Sequence, residues 1–216
     1  MFKSLRDLFY PPRCPLCDEL RENRDICIDC IGSVQFLEGD FTAPHLDRVW
    51  FDRARSCFAY EGKIMDAIHG LKYSQRFDLI KTFTGYLEKE IKAMGAYDVI
   101  IPVPLHWWRL LRRGYNQSAI MARATGKKLA IKVDCNVLKK TKNIVPQVGL
   151  DRNERLKNVR GAFEINSKLS GRIKDSKILL IDDVLTTGAT VNECAKTLIK
   201  NARCGSVDVL TIARTI

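Results

Sequence analysis

The chain has 216 residues, 36 Lys and Arg against 25 Asp and Glu, a formal net charge of +11 and 46% hydrophobic residues. That composition excludes a mostly disordered chain, and no apolar run reaches the ~18 residues of a membrane-spanning helix. The length accommodates one ordinary domain, alone or with a small module attached.

Phe2, Leu5, Leu8 and Phe9 recur at helical spacing, and Pro11-Pro12 end that helix. It reads as a short amphipathic helix docked on the body, with a membrane-surface role as the rival. This segment lacks the uninterrupted apolar core and cleavage site of a secretory leader. Reduced thiols and a cytoplasmic location are therefore expected.

Next come Cys14-Pro-Leu-Cys17 and Cys27-Ile-Asp-Cys30. Each C-x-x-C knuckle aims two sulfurs at one point, and four thiolates close a tetrahedral shell, so structural Zn²⁺ is the expected occupant. A redox pair, iron and unliganded core cysteines are the alternatives. No open position is left for a catalytic water, so the metal acts as a staple for a module too small to have its own core. Cys57, Cys135, Cys194 and Cys204 are scattered and read as small buried hydrophobes. The module is placed at residues 1–47 and the main domain at 48–216.

Residues 48–60 alternate partly and predict a strand or hairpin. Helices are expected over 63–73 and 77–94. Val99-Ile-Ile-Pro-Val-Pro104 predicts a buried strand running into a loop. A helix around 116–129, a short strand near 133–138 and a loop around 140–160 follow. A strand near 177–181, a helix near 189–202 and a last strand near 206–213 complete the chain. Alternating strands and helices argue for an α/β fold with a mostly parallel sheet, whose ligands bind beyond the carboxyl ends of the strands.

Charge is unevenly spread along this plan. Residues 1–60 hold 8 cations and 10 anions, whereas residues 107–160 hold 14 and 3. A basic block of this kind is either a solvated face or an attractor of phosphate-bearing partners.

The chemistry-bearing segment is Ile178-Leu-Leu-Ile-Asp182-Asp183-Val-Leu185-Thr186-Thr187-Gly188-Ala189-Thr190. A buried strand ends in two carboxylates, and a Thr/Gly turn then opens a helix. Helix-start N–H groups lack intrahelical partners and attract phosphate. Thr hydroxyls add donors, Gly188 permits close backbone approach, and the carboxylates can accept from vicinal hydroxyls. The pattern points to a sugar phosphate. The bland alternative is that the two Asp merely cap a strand-to-helix turn.

This segment resembles the phosphoribosyl pyrophosphate signature of type I phosphoribosyltransferases. The resemblance implies that Asp182 and Asp183 contact the ribose hydroxyls and that Leu185 to Thr190 hold the 5′-phosphate. It also implies a pyrophosphate loop at Pro104, Leu105 and His106, with Mg²⁺ carried on the ligand; a polar loop residue is the plainer reading of His106. Nearly the whole chain resembles the ComF family, phosphoribosyltransferase-like proteins tied to natural competence and DNA uptake. The matching features are the four cysteines, Leu71-Lys72-Tyr73, Pro102-Val-Pro-Leu105, Arg112-Arg-Gly-Tyr-Asn-Gln-Ser118, Thr141-x5-Gln147 and Arg155-x2-Asn158-Val-x-Gly-Ala-Phe163. Gln75 departs from the frequent Gly. Leu71-Lys72-Tyr73 also reads as no more than a helix end.

Two functions follow as expectations. One is a competence protein that binds phosphoribosyl pyrophosphate and handles single-stranded DNA beside the uptake machinery. Trp107, Trp108 and Tyr115 among the cations suit base stacking with backbone tracking, although the Trp pair also fits a core. The other is a phosphoribosyltransferase acting on a small acceptor. In either, Arg112, Arg113, Lys139, Lys140, Arg152 and Arg155 are candidate contacts for pyrophosphate or DNA. A zinc-dependent adaptor explains the cysteines but not residues 178–190.

Overall fold

The structure is a computed structural model that describes residues 11–23, 25–43, 46–142 and 158–216. Its centre is a five-stranded sheet in the order β1-β7-β6-β2-β3, every pair parallel. The strands are β1 (Arg53–Ala59), β2 (Val99–Pro102), β3 (Lys132–Val133), β6 (Lys177–Leu185) and β7 (Ser206–Arg214). A separate antiparallel pair joins β4 (Leu138–Lys140) to β5 (Phe163–Ile165). The helices are α1 (Ile28–Gly32), α2 (Gly62–Tyr73), α3 (Asp78–Met94), α4 (Trp107–Arg113), α5 (Gln117–Leu129) and α6 (Ala189–Ala202).

The central strands are covered on both faces, so they read as continuous apolar runs rather than alternating ones. Ile178, Leu180, Val207 and Val209 face Val191, Cys194, Ala195 and Leu198 of α6. Leu179, Ile181, Leu210 and Ile212 face α2, α3 and α5, with Ile68, Leu87 and Met121. The scattered thiols Cys57, Cys194 and Cys204 are buried, as expected, while Cys135 is half-buried.

A third, smaller cluster holds Cys14, Ile26, Cys27 and Cys30, with Tyr86 of α3 packed on it. Tyr86 also meets the Phe36 and Phe58 rings, at 5.8 and 4.8 Å, which seats the cysteine module on α3. Residues 35–41 then run beside β1. Ala59, Leu37 and Phe41 N–H groups donate to Gln35, Cys57 and Ala54 carbonyls across the gap. The sheet edge is thereby shielded from pairing with another chain.

Four details differ from the sequence expectation. The first strand covers only Arg53–Ala59 of the region 48–60. Residues 107–113 form a helix, not a loop. The strand expected near 133–138 is split into β3 and β4, and of the β4–β5 pair only Lys140 falls in the stretch read as a loop. Strand β6 continues to Leu185, so both Asp are strand residues, held by pairing with β7. The helix expected from Phe2 to Phe9 lies outside the described residues.

Gly126 shows how closely α5 approaches the sheet edge: a Cβ there would stand 2.3 Å from Val133 Cγ2 and 2.7 Å from the Ile131 carbonyl oxygen. Helix propensity alone favours Ala by about 1 kcal/mol, but the overlap outweighs it. Gly126→Ala is expected to cost a net ~1–2 kcal/mol, measured by urea unfolding. A stabilised variant would contradict this packing.

Candidate functional site

Strands β2 and β6 are neighbours, yet the chain leaves them in opposite directions, to β3 on one side and to β7 on the other. Such a reversal is where ligands bind in open α/β sheets. The pairing of β2 with β6 ends at Pro102 and Ile181, while β6 goes on beside β7. Asp182 and Asp183 are the next two residues.

The start of α5 fixes both carboxylates. Asn116 caps the helix, its Oδ1 accepting from the N–H groups of Ser118 at 3.0 Å and Ala119 at 3.4 Å. Its Nδ2 donates to the Val103 carbonyl at 3.0 Å, which ties the helix to the end of β2. Two first-turn side chains are thereby aimed at the pair. Ser118 Oγ donates to Asp182 Oδ1 at 2.8 Å, and Gln117 Nε2 donates to Asp183 Oδ2. Gln117 Oε1 in turn accepts from an Arg113 guanidinium nitrogen at 2.7 Å.

The last turn of α2 supplies the opposite charge. Lys72 Nζ lies 3.0 Å from Asp183 Oδ2. The Tyr115 hydroxyl donates to the Leu71 carbonyl, and the Arg113 guanidinium sits 5.3 Å from the Tyr73 ring centre. The segments 71–73 and 113–118, which sequence matched only by resemblance, converge on the carboxylates. Lys72, Gln117 and Ser118 were missed as site residues. The available signal was Asn116, a strong N-cap placing 117 and 118 in a first turn. Spacing alone carries no signal for Lys72.

Burial, and then the neighbouring Asp183 charge, push the Asp182 carboxyl up to about 7, against the Ser118 hydroxyl, the Asp183 N–H and Lys72. Lys140 is held below its ordinary value by burial and by Arg109, while the Asp182 charge works the other way. Arg109 is lowered by burial and by Arg113. Cations and anions thus gather within one another's field.

Thr186 is exposed, and Thr187 Oγ1 accepts from the Ala189 N–H at 3.4 Å. Gly188 caps α6 at φ 75°, in the left-handed region that favours glycine. Phe41 covers the outer side of the loop, its Cε1 3.2 Å from where a Gly188 Cβ would stand.

The remaining candidates divide. Pro104 and Leu105 follow β2 and are half-buried. His106 is buried, and its Nδ1 accepts from the Trp108 N–H at 3.3 Å, capping α4. Lys140 lies on the Asp182 side, whereas Lys139 and Arg112 are exposed. Arg152 and Arg155 lie outside the described residues.

The four cysteines form a second site. Their Sγ atoms all lie within 4.8 Å of one another, with Cys14–Cys30 and Cys17–Cys27 both at 3.8 Å. A tetrahedron with Zn–S bonds of ~2.3 Å has edges of about 3.8 Å, so the donor set fits structural zinc.

The raised Asp182 carboxyl has a stability consequence. Between about pH 4 and 7 the folded chain keeps a proton that the unfolded chain has released, so stability falls as pH climbs through that window. Asp182 is partly open to solvent, which moderates the effect. Asp182→Asn is expected to stabilise the chain by about 1–2 kcal/mol more at pH 8 than at pH 5, read by urea unfolding. Equal effects at both values would assign the titration elsewhere.

A family model described as a phosphoribosyl transferase domain matches residues 116–215, and one described as a double zinc ribbon domain matches residues 5–42. DNA utilization protein YhgH of Escherichia coli O6:H1 is 30% identical over 163 residues, covering 73% of this chain and 70% of that protein. Competence protein F of Haemophilus influenzae is 37% identical over 139 residues, 62% of this chain and 60% of that protein. Among solved structures, the glutamine phosphoribosylpyrophosphate amidotransferase from B. subtilis is similar over 60% of this chain and 25% of its own, with TM-score 0.40 and 17% identity. The chain therefore belongs to the ComF family of competence and DNA utilization proteins, a phosphoribosyl transferase domain preceded by a double zinc ribbon.

Proposed function

We propose that this protein binds phosphoribosyl pyrophosphate at the end of β6 and handles single-stranded DNA in the cytoplasm during natural competence. The observation that carries the first half is the carboxylate pair, held by Lys72, Gln117 and Ser118 beside the start of α6. Ribose hydroxyls donate to Asp182 and Asp183. The 5′-phosphate accepts from the N–H groups and hydroxyls of Thr186 to Thr190. Lys140, with Arg113 nearby, faces the diphosphate, next to Pro104 and Leu105. Asp183 already meets an ammonium and an amide, so Mg²⁺ enters on oxygens of the ligand rather than by displacing Lys72.

Helix α4 supports the second half. Trp107 and Trp108 are 58% and 56% exposed, with ring centres 5.4 Å apart, so they are not core. On the helical wheel, Trp107, Trp108, Leu110 and Leu111 share one arc and Arg109, Arg112 and Arg113 the other. Exposed indoles beside guanidinium groups suit stacked bases with a tracked backbone. The names of the relatives, DNA utilization and competence proteins, favour this reading, and contacts with uptake-machinery proteins go with it. Among the described residues no helix is long and apolar enough to cross a membrane.

Calorimetric titration with Mg²⁺-phosphoribosyl pyrophosphate tests the site. Asp183→Asn is expected to weaken binding by about tenfold or more; unchanged affinity would remove the pair from the site. Pyrophosphate release that depends on an added base or amine would shift the reading to a transferase. For DNA, binding of a 30-mer is expected to fall steeply with salt, and Trp108→Ala to weaken it about tenfold. Binding indifferent to salt and to that substitution would refute the DNA half alone.

A further inference from the structure

Helix α2 reaches the carboxylate pair through its last turn, and its outer side is gripped by the zinc ribbon at two points. At the first turn, Lys63 Nζ donates to Cys30 Sγ at 3.2 Å. Just beyond the last turn, an Arg76 guanidinium nitrogen donates to the Pro15 carbonyl at 3.1 Å, inside the Cys14–Cys17 knuckle. The same guanidinium pairs with Asp78 at 2.8 Å, at the start of α3. Gly70 makes this possible: the Arg76 side chain lies against it, with Cγ 3.1 Å from where a Cβ would stand. The inner side of α2 is buried through Ile64, Ala67, Ile68 and Leu71.

Between the two grips stand the residues that meet the site. The Leu71 carbonyl takes the Tyr115 hydroxyl, and Lys72 pairs with Asp183. An α-helix is stiff along its axis, so fixing its ends fixes the lysine it presents. The ribbon's own small cluster cannot hold its backbone without the metal.

We propose that the metal-loaded ribbon is a positioning element for the sugar-phosphate site, acting through Lys63 and Arg76 on α2 to hold Lys72 against Asp183. This rests on the reading of the carboxylate pair given above. Lys72 offsets the repulsion between Asp182 and Asp183 and keeps Asp183 available as an acceptor. When α2 shifts, the pair loses its counter-ion, and hydroxyl recognition weakens without any change in the groups that touch the ligand.

The test uses the full chain and has two readouts. The first needs no ligand: pulse acylation of lysines read by mass spectrometry, with Lys132 as internal control. Lys72 is expected to react about fivefold faster in Arg76→Ala and after zinc chelation, and at the wild-type rate in Arg76→Lys. Lys63→Gln, a milder change on a partly exposed residue, is expected to act in the same direction. The second readout is the affinity for Mg²⁺-phosphoribosyl pyrophosphate. Arg76→Ala is expected to weaken it about fivefold in the wild-type background and to have no further effect with Lys72→Ala. Lys72 labelling that ignores chelation and both variants, or additive losses with Lys72→Ala, would overturn the proposal. A wild-type chain that does not bind the ligand, yet shows the labelling pattern, would instead refute the sugar-phosphate reading and leave the ribbon's hold on Lys72 standing.

Discussion

Two carboxylates side by side at the end of a buried strand repel each other, and the arrangement around them follows from that constraint. Like charges a few ångströms apart in a poorly solvated site cannot both ionise freely. Here one partner is compensated more fully than the other. Asp183 meets the Lys72 ammonium and the Gln117 amide, whereas Asp182 meets a neutral serine hydroxyl and the N–H of its neighbour. Burial first, and then the neighbouring Asp183 charge, make Asp182 the carboxyl that is pushed upward. A pair so biased can accept hydrogen bonds from two neighbouring hydroxyls without carrying two full charges. The groups that create the bias come from α2 and α5, outside the segment that bears the carboxylates.

Much of the fold was legible because parallel strands buried on both faces are uninterrupted apolar runs. Val99–Ile101 and Ile178–Ile181 announce themselves that way. Helix α6 was bounded correctly by its glycine start. The end of β6 was not, since aspartate is a poor strand former and only pairing with β7 carries the strand through Asp182 and Asp183. The β4–β5 pair was invisible for a related reason: Leu138–Lys140 and Phe163–Ile165 are three residues each and far apart in sequence. Their pairing is a tertiary fact that no local window contains. The same holds for Lys72, whose partner is more than a hundred residues away.

Helix α4 was missed because it inverts the usual rule. Surface helices normally turn their apolar arc to the core, yet no residue of α4 is buried. Trp107, Trp108, Leu110 and Leu111 face solvent, while Arg113 turns inward to Gln117 and Arg109 is half-buried beside it. Exposed indoles and the guanidinium that meets Gln117 thus share one short helix, next to the carboxylate pair.

The ribbon also touches the opposite flank of the site. Residues 46–50, just before β1, pass over the start of α6. Asn192 holds this passage twice, its Oδ1 accepting from the Trp50 N–H at 2.7 Å and its Nδ2 donating to the Arg48 carbonyl at 2.9 Å. Phe41 closes on Gly188. A side chain at 188 would therefore be opposed twice, by the left-handed backbone and by the phenyl ring. The turn at Gly188 is covered by Phe41, within the residues matched to the double zinc ribbon, and Lys72 meets Asp183 from a helix that Lys63 ties to Cys30. A module with no catalytic group of its own thus borders both halves of the site, which gives a physical reason for a small metal-stapled domain to travel with this fold.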